Sequence, residues 1–173
     1  MKLNFYIGCM ALLTSLSTYA AEKVSVKFYT PEIVRIIKYP DGKPDTDRES
    51  LVVTAKPENV KVDGTIDDDV TCYRTSRLIV TTDNKTGKVS FYKPDWELLV
   101  AEGSHGFTPI TEGIDKGSYK VMQSFVLEED EPIYGIGMLQ NGKMSQRGEH
   151  RLMQQSNLED FAHFFQSIKR YGI

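Results

Sequence analysis

Pro132-Ile-Tyr-Gly-Ile-Gly-Met-Leu-Gln-Asn-Gly142, with Arg147-Gly148 close behind it, is the stretch that decides how this chain folds. Three glycines in eleven residues sit among apolar neighbours. Glycine is used where the backbone must take positive φ or come close to another segment. Tyr134 and Met138 flank Gly135-Ile136-Gly137, and Asn141-Gly142 is the dipeptide most favoured in a two-residue hairpin turn. The stretch reads as a strand that ends in an exposed, tightly turned polar loop. The chain before it should be sheet built to hold it.

Upstream, the hydrophobic period is two. Val24, Val26 and Phe28 alternate with Ser25 and Lys27, which is the pattern of a half-buried strand. Thr30-Pro31 interrupts it, and Ile33 to Tyr39 resumes as a β-rich run. Residues 40–49 hold two prolines and an Asp-Gly turn, and Leu51 to Thr54 reads as a short strand. Thr71 to Arg74, Leu78 to Thr82, Lys88 to Tyr92 and Trp96 to Ala101 follow one another with turn residues between them. That spacing predicts an antiparallel meander. Gly103 to Gly117, with four glycines and a proline, is expected to be loop, and Tyr119 to Leu127 a long strand. Helical periodicity is confined to one candidate, Leu158 to Phe165 behind Asn157; it is short, and its aromatic residues also suit a strand. The expected architecture is an all-β antiparallel sandwich, with no linker, internal repeat or low-complexity segment to divide it.

The chain has 173 residues, enough for one domain with a real core. A net charge of −3 gives no electrostatic case for nucleic acid. Residues 1–20 have the build of a signal peptide: Lys2, an apolar run from Phe5 to Leu16, and small residues at Thr18 and Ala20 before a cut at Ala21. The apolar run is too short to span a bilayer. The expected product is therefore exported, to the periplasm or beyond, with residues 21–173 as its domain. Cleavage removes Cys9 and leaves Cys72, so no internal disulfide is expected, and Cys72 should be a small buried hydrophobe.

Few side chains offer chemistry. Asp67-Asp68-Asp69 lacks the spacing of a calcium loop and reads as a solvated turn. His105, His150 and His163 form no pair at zinc-ligand spacing, and His105 reads as a surface loop residue. No Gly-x-Ser-x-Gly turn is present for a nucleophile. Glu128 to Glu131 supply four adjacent carboxylates, where sugar hydrolysis needs two opposed across a ring, so they read as surface charge. No metal or cofactor is expected. Sugars are bound by aromatic faces and planar polar groups. Trp96 and most of the nine tyrosines are expected to fill the core. Gln140, Asn141, Arg147, Gln155 and Asn157, on loops carried by a rigid sheet, are the better binding candidates.

Several separated motifs, in order, resemble glycoside hydrolase family 31. They are Phe28 to Ile37, the Leu78 to Tyr92 meander, Ile133 to Gln140, Arg147-Gly148, Gln155 to Asn157, Phe165 to Lys169 and Tyr171 to Ile173. Within the family, the likeness is to bacterial exported α-xylosidases and α-glucosidases. The resemblance implies the galactose-mutarotase-like N-terminal β-sandwich of such an enzyme, whose Tyr-Gly-Leu-Gly motif precedes a loop leaning over the active site. It also implies that Gln140, Asn141, Arg147, Gln155 and Asn157 lie near the substrate entrance. Where the family has Pro before Phe-Phe and Gly before Tyr-Gly, this chain has His163 and Arg170. A turn that wants Gly would force positive φ on Arg170. The family's two catalytic aspartates lie on a barrel that follows the sandwich, and no catalytic residue is assigned in this chain. The expected function is to support the sugar pocket of an exported α-glycosidase, here without its barrel. The alternative is a free-standing carbohydrate-binding module.

Overall fold

The computed structural model describes residues 23–40, 53–155, 157 and 159–173. The signal-peptide segment, most of the Pro-rich loop, Leu51 and Leu158 lie outside them. Ten strands and no helix are found among the described residues. They are β1 (Lys23–Phe28), β2 (Val34–Tyr39), β3 (Asp63–Ile66), β4 (Val70–Arg74), β5 (Ile79–Asp83), β6 (Val89–Tyr92), β7 (Leu98–Pro109), β8 (Tyr119–Val126), β9 (Ile133–Met138) and β10 (Asp160–Ser167).

Strands β3 to β8 form one six-stranded antiparallel meander in sequence order. Two two-stranded ribbons, β1–β2 and β9–β10, are its companions. The alternation seen in the sequence sets what each face buries. Phe28, Leu78, Val80 and Val89 form the centre of the core, with Val24, Val26, Val34 and Ile36 from the β1–β2 ribbon and Tyr73, Phe91 and Leu99 from the meander packed on it. Burying a side chain of this size stabilises the fold by roughly 1.5–3 kcal/mol. The β9–β10 ribbon meets the meander at its edge strand β8 through Phe165, edge-on to Phe125 at 6.2 Å between ring centres. The chain is an antiparallel β-sandwich, as its alternation implies.

A polar cross-tie supplements the apolar core. Lys38 of β2 forms an ion pair with Glu102 of β7, and both side chains are almost wholly buried. Glu102 also accepts from the Val89 amide (3.0 Å) and from Gln123 Nε2 (3.1 Å). His105 Nδ1 lies 2.8 Å from Lys38 Nζ. His105, on β7, is thus part of this buried cluster, and the surface-loop expectation is corrected.

Other local expectations are revised. Gly103 to Pro109 continues β7 instead of forming a loop. Gly103 sits where the β7–β8 register shifts, and a Cβ there would lie 2.9 Å from Ser124 Oγ. Its glycine marks a bulge and a close approach, which in sequence look like a turn. The loop is confined to residues 110–118. Trp96 is 51% exposed in the turn before β7, so it does not fill the core. Val53 and Thr54 are irregular, leaving no strand there among the described residues. The candidate helix is β10: Asp160 to Ser167 pairs with β9, whose open ladder offers aromatic residues a better fit than one isolated turn of helix.

Candidate substrate-proximal loop

The glycine stretch forms β9, and its glycines are required by its partner strand. Gly135, Ile136 and Gly137 all have positive φ (104°, 60° and 123°). A Cβ on Gly135 would meet the Phe164 carbonyl oxygen at 2.8 Å, and one on Gly137 the Asp160 carbonyl oxygen at 2.0 Å. Phe161 pairs with Gly137 and Phe165 with Gly135, so three residues of β10 oppose the single Ile136. His163 occupies this bulge and is exposed. A β-branched residue at positive φ is a genuine outlier, and Ile136 is held there by the pairing on either side.

The described residues of 139–159 form a loop joining β9 to β10, so Asn141-Gly142 is a turn inside it and not the tip of a two-residue hairpin. The loop is pinned at its base. Gln146 is buried, donates its amide to the Ile133 carbonyl (2.8 Å) and its Nε2 to the Lys143 carbonyl (2.9 Å). Asn141 Nδ2 donates to Gln146 Oε1 at 2.9 Å, which spends that amide on the loop itself. Arg147 Nη1 donates to the Glu131 carbonyl at 2.8 Å. Gln155 uses both ends of its side chain on the backbone of Phe161, at 3.0 Å each, as a strand residue would. The Gln140 amide donates to Glu159 Oε1 at 3.2 Å, and Asn157 is exposed. Asn141 and Arg147 therefore flank the Gln146 anchor, while Gln155 is tied to the start of β10. Lys143 and Glu149 pair across the loop at 2.5 Å, and that hydrogen bond keeps the Glu149 carboxyl below its ordinary range.

A carboxylate fixes the opposite end of the ribbon. Glu131 is 4% exposed, which corrects its reading as surface charge. It accepts from the hydroxyls of Ser167 and Tyr171 and from the Glu128 amide (3.0 Å). Burial pushes its carboxyl up, but the bonds from Ser167, Tyr171 and Glu128, with the charge of Lys169, outweigh that and hold it below the ordinary glutamate value. Burial, then the bond to Glu131, pushes the Tyr171 hydroxyl well up. Beyond β10 the chain turns back, and Phe165 exchanges backbone hydrogen bonds with Ile173 at 2.8 and 2.9 Å. Arg170 takes φ 67° in this turn, as the family resemblance implies. Gln146 and Glu131 escaped the sequence reading, because nothing in the local pattern separates a buried glutamine or one carboxylate in four from solvated neighbours.

No group of three or more His, Cys, Asp or Glu suited to a metal ion occurs among the described residues. Cys72 is a half-buried free thiol on β4.

Residues 23–163 match the glycosyl hydrolase 31 N-terminal galactose mutarotase-like domain. The chain belongs to this domain family. Solved structures with the same fold include an α-xylosidase of the family from Xanthomonas citri, 24% identical with a TM-score of 0.75, where the match covers 90% of this chain and 17% of that one. An α-xylosidase from a soil metagenome, in complex with xylose, is 20% identical at TM-score 0.74 over 90% of this chain and 25% of that one. The Flavobacterium johnsoniae dextranase, in complex with glucose, is 20% identical at TM-score 0.68 over 89% and 20%. This chain therefore spans a quarter or less of the length of each of these three family 31 proteins. The described residues form strands alone, with no barrel among them.

Proposed function

We propose that this sandwich serves an exported family 31 α-glycosidase of the α-xylosidase or α-glucosidase type, acting in the periplasm or outside the cell. Its 139–159 loop borders the sugar pocket of a catalytic barrel carried by further polypeptide. The observation that carries this reading is the way the loop is built. Gln146 and Arg147 lock its base to the strand end at Glu131 and Ile133, while exposed polar residues remain at its rim. A loop fixed in this way holds its shape without a ligand, which is what a pocket wall requires. The side-chain bonds of Asn141 and Gln155 act as props, leaving the exposed Asn157 as the residue through which a sugar hydroxyl would be met.

The test is genetic and then kinetic. The reading frame past the codon for Ile173 should encode a barrel. In the protein so encoded, Arg147→Ala should raise KM for an aryl α-xyloside or α-glucoside at least several-fold. A stop codon without a barrel, together with sugar-binding heat from the sandwich alone, would instead establish a free-standing binding module. An unchanged KM in the complete protein would remove the loop from the pocket.

A further inference from the structure

We infer that Trp96 and the cavity beside Arg74 form a second carbohydrate-contact surface, distinct from the 139–159 loop and suited to the pyranose rings of a neutral oligosaccharide. The inference rests on the reading that the protein handles carbohydrate. Trp96 is half exposed, and its φ of 70° is the left-handed region that a residue with a side chain occupies only at an energetic cost. Such outliers persist where surrounding bonds over-determine them. Here the Trp96 amide donates to the Lys93 carbonyl (3.0 Å), the Lys93 amide to the Glu97 carbonyl (2.9 Å), and the Glu97 amide to Asp95 Oδ1 (3.1 Å). Arg74 Nη2 clamps the same turn through the Pro94 carbonyl at 2.7 Å.

The ring is also braced. Tyr92 meets it edge-on, 5.6 Å between centres with the planes 60° apart, so the indole is held by contact while much of it stays in solvent. A rigid, exposed aromatic face attracts the C–H-bearing face of a pyranose, whose hydrogens carry partial positive charge, and it asks no charge of the ligand. Arg74 then leads to an open cavity of about 350 Å3 that it lines with Glu58, Asn59, Lys61 and Asp63. That volume falls at the lower end of small-ligand sites, roughly 300–1,000 Å3. Its two cations are balanced by two carboxylates. Such a lining suits hydroxyls, which donate and accept, better than it suits an anion.

The surface is separate from the candidate loop. Strands β3 to β7 align Asp63, Arg74, Ile79, Tyr92 and Leu98 in one cross-strand row at the Trp96 end of the meander. The β9–β10 ribbon approaches this row by its Lys169 end, where Lys169 Nζ donates to the Leu98 carbonyl at 2.6 Å. The 139–159 loop leaves the ribbon from its other end, at Met138 and Asp160.

Trp96 is the sole tryptophan, so intrinsic fluorescence of the whole chain reports this site alone. Titration with isomaltotriose and with xyloglucan oligosaccharides should change the emission saturably, and Gln155→Ala should leave that titration unchanged. Trp96→Gly, which relieves the left-handed backbone, should keep or raise the melting temperature while weakening calorimetric binding at least tenfold. Asn59→Ala should weaken it several-fold without touching the turn. Three results would overturn the inference: emission that stays flat at millimolar sugar, emission that follows protein concentration and not sugar, or binding heat that survives Trp96→Gly. Heat that survives Trp96→Gly but is lost in Gln155→Ala would overturn this surface and leave the loop reading standing. A saturable Trp96 response from a protein whose full reading frame encodes no barrel would leave this surface standing and overturn the loop reading.

Discussion

At Gly137 an added methyl group would lie 2.0 Å from the carbonyl oxygen of Asp160, a contact the backbone can relieve only by opening the ribbon. Gly137→Ala should therefore destabilise the domain by about 2–4 kcal/mol, seen as a lower urea midpoint at unchanged slope. Arg170 is the opposite case. Its φ of 67° suits Gly, so Arg170→Gly should raise stability by about 1 kcal/mol, readable as a higher melting temperature. Gly137 was legible because a glycine run states a backbone requirement directly, and Arg170 because it stands where the family it resembles has glycine. Glu131 was not legible, since its role comes from Ser167 and Tyr171 far along the chain. Its folded carboxyl sits below the ordinary value of 4.5. A depressed carboxylate contributes stability that is present above its unfolded pKa and lost as pH falls through the folded one. Asp83 and Glu149 are shifted in the same direction, so the wild-type melting temperature should fall on acidification below 4.5, and Glu131→Gln should show a shallower fall.

Among the elements, the meander was readable because β-rich runs recur at near-regular spacing and each turn between them carries its own polar signal. One element was misread and another left open for one reason: pairing partners outweigh local propensity. β10 has helix-like spacing, yet the close-approaching glycines of β9 give it a ladder. β7 contains Gly103 and Gly106, yet it runs on to Pro109 because β8 pairs with it throughout. The cross-tie between the first ribbon and the meander was equally invisible, because Lys38 and Glu102 are 64 residues apart. Glu102→Ala removes the partner of a buried lysine and strands the Val89 amide. The expected cost is about 3–5 kcal/mol in chemical denaturation. A cost near zero would mean that the ribbon is held by its apolar face alone.

For the whole molecule, the sandwich and its family followed from ordered motifs spread along the sequence, and the 23–163 match agrees with them. The candidate site was legible only as a region. The 139–159 loop is where Gln140, Asn141, Arg147, Gln155 and Asn157 lie, but sequence could not tell which of their polar groups are spent inside the loop, and it placed Trp96 in the core. Glu131, a buried carboxylate, accepts from the Ser167 and Tyr171 hydroxyls and from the Glu128 amide, so its bonds tie the end of the β9–β10 ribbon together. The most direct measurement is hydrolysis of aryl α-xyloside and α-glucoside by the purified chain. The account predicts no turnover by this chain alone and turnover once the polypeptide encoded beyond Ile173 is present. Turnover by the chain alone, abolished by Glu131→Gln in a variant that still folds, would contradict it.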